Sequence, residues 1–184
     1  MLLAVSLISG LIVMSYGQAN LGQWKQLQCQ GSPVSNRYFN GAEGFSVAIP
    51  KKLRGRRGQA AGPERGVAIP ISDDCSGVVV VYGEPNSFEW STPADAIKWK
   101  IDSAVKDDPH AEVQRYKIRL GNVRAAGVIV RHRATSEVEE IVVAFRPGGG
   151  PVYTAMLATT GTAHKQDHGV FRKVLQGFRL EAWR

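Results

Sequence analysis

Three residues near the C-terminus, His164, Asp167 and His168, come closest to a chemical signature. On a helix, positions i and i+4 put both imidazoles one turn apart on one face with a carboxylate beside them, the spacing that zinc uses. The pattern is incomplete, because no glutamate follows the first histidine as in a metalloprotease helix, a third strong ligand is unassigned and Gly169 weakens the helix. Asp167 could equally cap a helix that starts there. No metal and no cofactor is therefore assigned, and these three residues are the candidates if a metal is bound. Gly44-Phe45-Ser46-Val47-Ala48 matches the loosest form of a nucleophile elbow, but Pro50 and a polar stretch follow where a helix is needed, so Ser46 reads as a strand residue. Gly148-Gly149-Gly150 lacks the Lys-Ser/Thr of a phosphate loop and reads as a turn.

Charge is the second candidate for chemistry. Arg115, Lys117 and Arg119 alternate and so share one face of a strand, and a turn at Gly121-Asn122 brings Arg124 opposite Arg119. Like charges across a ladder are unfavourable unless they are solvated or neutralised by an anion, which makes this patch a candidate anionic binding surface. Lys51, Lys52, Arg54, Arg56 and Arg57 form a second basic cluster, on a polar, glycine-rich connection over 51–65. Trp99 falls opposite the apolar stripe of its helix; either the N-terminal segment covers it, the favoured reading, or it stands exposed as a partner anchor.

The elements that must position these residues follow from periodicity and turn signals. Three strands are expected first, at 45–49, entered by a hairpin-like turn at Asn40-Gly41 after Tyr38-Phe39, and at 66–71 and 78–82, each a β-branched or aromatic run bounded by Gly, Pro, Asn or Asp. Thr92 caps a helix over 93–107 with Pro93 at its first position, and Ala94, Ile97, Ile101, Ala104 and Val105 form its stripe. Four strands joined by short turns, at 113–120, 124–133, 139–146 and 152–159, must lie antiparallel to their neighbours. A helix over 163–176 and a strand over 178–183 close the chain. The expected fold is α+β: an antiparallel sheet of about seven or eight strands covered by two helices.

Tyr38-Phe39 with Gly44-Phe45-Ser46-Val47-Ala48-Ile49-Pro50, and Phe171-Arg172-Lys173-Val174-Leu175-Gln176-Gly177-Phe178, resemble the Mog/PsbP-like α/β/α sandwich over 38–184. The resemblance implies a mostly non-catalytic domain, used by PsbP proteins as an accessory to photosystem II and by Mog proteins to bind the Ran GTPase. It carries no set of catalytic residues to this chain.

Residues 1–19 carry a short apolar run followed by small and polar residues, the form of an export signal cleaved before Asn20. The missing Lys or Arg near Met1 leaves open an uncleaved anchor or a different start. Residues 20–37 lack a sustained period and read as an irregular lead-in, with Trp24 packed on the domain, ahead of a single domain over 38–184. Cys29 and Cys75, an even pair without CxxC spacing, form one disulfide outside the cytoplasm, worth on the order of 4 kcal/mol by loop-closure entropy. The formal charge of +7 lies entirely beyond residue 19 and attracts anionic surfaces. Together these point to an exported, periplasmic or extracellular, non-enzymatic accessory or binding domain for a protein partner or an anionic envelope surface. Nucleic acid is less accessible to such a protein, and no second apolar run suggests an integral membrane protein. Two rivals remain open: a metal-dependent hydrolase using His164 and His168, and a carrier with an apolar cavity between sheet and helix.

Overall fold

The computed structural model describes residues 21–57 and 65–182. The export signal and its cleavage point lie outside the described residues, as does Trp183 at the expected end of the last strand. In chain order the elements are α1 (Leu21–Gln28), β1 (Ser32–Val34), β2 (Arg37–Asn40), β3 (Phe45–Ala48), β4 (Gly55–Arg57), β5 (Gly66–Pro70), β6 (Val78–Glu84) and α2 (Pro93–Asp107). Then follow β7 (Glu112–Leu120), β8 (Val123–Arg131), β9 (Glu137–Phe145), β10 (Val152–Thr160), α3 (His164–Gly177) and β11 (Phe178–Leu180).

Eight strands form one antiparallel sheet in the order β1-β4-β5-β6-β10-β9-β8-β7, and β11-β3-β2 form a second, small sheet. The expected single sheet is thus divided. The meander β7 to β10 doubles back so that β10 lands beside β6, pairing Ala155 with Val81, while β7 is left as an edge. The main core lies on one face of the large sheet, beneath α3 and the small sheet; Phe45, Tyr153, Phe171 and Phe178 are fully buried there. Burying each such ring contributes roughly 2–3 kcal/mol. These rings fill the layer in which a carrier would hold an apolar cargo. On the opposite face, Ala96, Ile97 and Ile101 of α2 pack on Val128, Val130, Ile141 and Val143. Gly121 closes the β7–β8 turn at φ +59°, with its N–H donating to the Leu175 carbonyl at 2.7 Å, a left-handed conformation that a side chain would strain.

Two segments expected to be irregular are built instead. The lead-in contains α1 and β1, and α1 is pinned to the domain: Trp24 packs near Val78 and Val80, and the buried Lys25 Nζ donates to Glu137 Oε1 at 2.9 Å. An eight-residue helix is marginal alone, so tertiary contact rather than periodicity stabilises it. Cys29 and Cys75 are bonded with their Cα atoms 6.3 Å apart, tying the end of α1 to the loop before β6. The polar connection over 51–65 contains β4, which pairs with both β1 and β5.

The helix α2 starts where expected, and its start is a full capping box. The Thr92 hydroxyl accepts from the Asp95 N–H, and the Asp95 carboxylate accepts from the Thr92 N–H. Its buried stripe is turned from the expected one: Ala96 joins Ile97 and Ile101, whereas Ala94 and Val105 are exposed. Those two lie too far round the helix to reach the sheet once Ala96 and Ile97 sit against it.

Candidate functional site

On the α2 side of the sheet the exposed surface combines aromatic and basic groups. Phe88, Trp90 and Trp99 stack on one another with ring centroids 4.9 to 5.9 Å apart. Trp90 reaches the core beneath α2, while Phe88 is 60% and Trp99 43% exposed. Among the described residues, the N-terminal segment does not cover Trp99. Its neighbours are the two rings just before α2 and Lys100, whose Nζ sits 5.1 Å from the indole centroid. The expectation failed because α1 lies against β6, not against this end of α2.

Arg115, Lys117 and Arg119 point to this same side from the edge strand β7, all exposed, while the alternate residues Tyr116 and Ile118 turn inward. Arg119 stands directly opposite Arg124, and its guanidinium donates to the Asn122 carbonyl across the turn. Arg119, Arg124 and Trp90 line one open cleft of about 740 Å³, together with Thr92, Pro93 and Arg146. Arg146 is a fixed wall of this cleft: it donates to Gly44 O, Glu181 O and the Tyr153 hydroxyl.

The second basic cluster does not join this surface. Arg54 and Arg57 flank or lie on β4, six inter-strand steps from β7 and hence about 29 Å away. Arg54 donates to the Ser35 hydroxyl, Arg57 lies over the Tyr38 ring at 5.4 Å and Arg56 is half-buried on the same strand. Arg54 ties β4 to the β1–β2 link and Arg57 ties it to the small sheet.

The histidines present a different arrangement on the α3 side. His164 and His168 do lie on one face of α3, but Asp167 does not join them: its Oδ2 accepts from the buried Thr159 hydroxyl at 2.5 Å. At about 100° per residue Asp167 lies about 80° round the helix from the midpoint of the two histidines, on the side that meets Thr159 of β10. The carboxylate that meets both imidazoles is Glu140, fully buried on β9. Its Oε2 lies 2.8 Å from His168 Nδ1 and 3.2 Å from His164 Nε2, and its Oε1 accepts from the Tyr116 hydroxyl at 2.5 Å.

Arg131 fixes the tautomer of His164. Its Nη1 stands 3.4 Å from His164 Nδ1, and a guanidinium can only donate, so Nδ1 accepts and Nε2 carries the hydrogen that Glu140 receives. Gly127, directly opposite Tyr116, lets the phenol ring lie flat across β8 to reach Glu140; a Cβ there would fall 2.5 Å from Tyr116 Cζ. Burial, and then the hydrogen bond to Glu140, push the Tyr116 hydroxyl well above its ordinary pKa. Ser46 belongs to β3, not to a nucleophile elbow, and the glycine triplet forms the β9–β10 turn.

Sequence reasoning passes over Glu140 and Tyr116. A signal is present nonetheless: β9 is buried on both faces, and Glu140 occupies the same side as Val138 and Val142, where a charge needs a partner.

No protein-family model and no curated protein matches this chain. Solved structures do. The chain is similar to cyanobacterial PsbP (CyanoP) from Synechocystis sp. PCC 6803, with 14% identity and a TM-score of 0.54, over 82% of this chain and 94% of that one. It is similar to the Saccharomyces cerevisiae Ran-binding protein Mog1p, with 7% identity and a TM-score of 0.51, over 82% of this chain and 95% of that one. A Bacteroides thetaiotaomicron VPI-5482 protein matches 80% of this chain at 14% identity and a TM-score of 0.47, and the chain spans 49% of its length. The eight-stranded antiparallel sheet with its three helices is the Mog/PsbP-like α+β sandwich.

Proposed function

We propose that this chain is an exported accessory domain that docks an acidic protein partner on the α2 side of its large sheet. The observation that carries the reading is the exposed Phe88–Trp90–Trp99 stack, continuous through Trp90 with the cleft that Arg119 and Arg124 line. Aromatic and arginine side chains are the commonest anchors of protein interfaces, since they bury much area or many hydrogen-bond donors at small conformational cost. An anionic membrane would be met better by a flat, lysine-rich face; here Arg115, Arg119 and Arg124 stand on the same side as Lys100 and Lys117, and guanidinium groups suit bidentate carboxylate contact. Export is supported by the Cys29–Cys75 disulfide and by the form of residues 1–19. Among the described residues no helix is long and apolar enough to cross a membrane.

The test is capture from envelope extract by the full chain, identified by mass spectrometry, with each hit re-measured as purified protein. Phe88→Ala with Trp99→Ala, and separately Arg119→Glu with Arg124→Glu, should each weaken binding at least tenfold, whereas Lys51→Glu with Lys52→Glu should leave it unchanged. Equal binding by all variants, or cosedimentation with phosphatidylglycerol vesicles in place of any protein, would overturn the reading. Native material should begin at Asn20 on N-terminal sequencing; an unprocessed chain with both sulfurs reduced would overturn export.

A further inference from the structure

We propose that Glu140, His164 and His168 bind a zinc ion that clamps α3 to the large sheet. This is independent of the docking reading, which uses the opposite face.

The donor set is one that zinc accepts, two imidazole nitrogens and a carboxylate oxygen. Bonds of about 2.0–2.1 Å in tetrahedral geometry place ligand atoms about 3.3 Å from one another. The two nitrogen–oxygen separations, 3.2 and 2.8 Å, already lie near that value, and all three ligand atoms fall within 4.8 Å of one another. Only the gap between the two imidazoles has to narrow, and they stand on successive turns of one helix.

Three further features bear on the site. Both imidazoles converge on the same oxygen, Oε2, while Oε1 is held by the Tyr116 hydroxyl. A ligating carboxylate that is itself hydrogen-bonded is the usual support around a bound metal. The His168 side chain is 39% exposed, so the cluster is reached from solvent on that side. Against the ion stands Arg131. When His164 Nε2 takes the metal its hydrogen moves to Nδ1, so the guanidinium, held by a single long contact of 3.4 Å, must swing away. His168 undergoes the matching change at no such cost, its hydrogen moving to Nε2.

The experiment is titration of the metal-free full chain with Zn²⁺ by calorimetry, with Co²⁺ as a spectroscopic substitute and thermal melting as a second readout. The expected result is one ion per chain at micromolar or tighter affinity, an intense tetrahedral Co²⁺ visible band and a higher Tm with zinc. His168→Ala, at a partly exposed position that the fold tolerates, should weaken binding at least about 100-fold, and Tyr116→Phe by about tenfold. His110→Ala, at an exposed histidine outside the cluster, should change nothing. Absence of zinc uptake at tens of micromolar by the wild-type chain, or undiminished uptake by His168→Ala, would overturn the proposal.

Discussion

On the α3 side of the large sheet Glu140 is buried among Tyr116, His164 and His168, whereas on the α2 side Phe88, Trp99, Arg115 and Arg119 stand in solvent. The two regions share a strand: Tyr116 and Arg115 are consecutive residues of β7, turned to opposite faces by the strand's alternation. The first region buries Glu140 completely, so its carboxylate must find partners inside the protein, and three side chains converge on it. The exposed region leaves apolar rings and like charges where water or another molecule must meet them. A polar group inside thus reports on internal order or a small ligand, and an apolar group outside reports on association.

The largest expected effect separates the two regions by stability. Glu140→Ala strands a hydroxyl and two imidazoles without their acceptor, and urea denaturation of the metal-free protein should show a loss of about 3–5 kcal/mol. Phe88→Ala on the other face should cost less than about 1 kcal/mol in the same measurement. Comparable losses would break the contrast.

Gly127→Ala sharpens it further. The new methyl meets the Tyr116 ring, so an overpacking cost of about 1–3 kcal/mol is expected, with the tyrosine absorption shifting as its hydroxyl leaves Glu140. An unchanged tyrosine spectrum would show that the ring position does not depend on that glycine.

The smallest effect is expected at His132, a half-buried histidine between the two extremes. Glu139 Oε1 lies 3.4 Å from its Nε2, an ion-pair separation without hydrogen-bond alignment, and Asp108 Oδ2 lies 3.7 Å from its Nδ1. The Glu139 carboxylate raises its pKa, burial works against that, and Asp108 adds to the rise. The folded chain then holds this proton more tightly than the unfolded one. Its contribution is complete below the unfolded value of about 6.5 and is lost as pH rises through the raised folded value. Denaturation midpoints measured across neutral pH should therefore decline less steeply for His132→Gln than for the wild type.

Local chemistry makes several features legible in the order of residues. Thr92-Pro93 marks the start of α2, β-branched runs between turn residues mark the meander, and two cysteines without a partner motif mark their own disulfide. The helical spacing of His164 and His168 is legible too. Their acidic partner is not, because Asp167 is adjacent in sequence and points to Thr159, while Glu140 comes from a strand 24 residues away from His164. The lead-in and the 51–65 connection escape a local reading for a related reason. The elements α1 and β4 are too short to declare themselves by period and exist by docking on β6, β1 and β5.

What the chain's order of residues determined alone is the set of elements whose own turns, caps and periodicity close within a few positions: α2, the four-strand meander, α3 and the basic face of β7. Tertiary structure alone decided the splitting of the strands into two sheets, the separation of the Arg54–Arg57 cluster from β7, the stacking of Phe88 and Trp90 on Trp99, and the meeting of Glu140 with two histidines. Each of those depends on which distant segments pack together. Packing is a sum over contacts between residues far apart in the chain, which no local pattern of types and spacings contains.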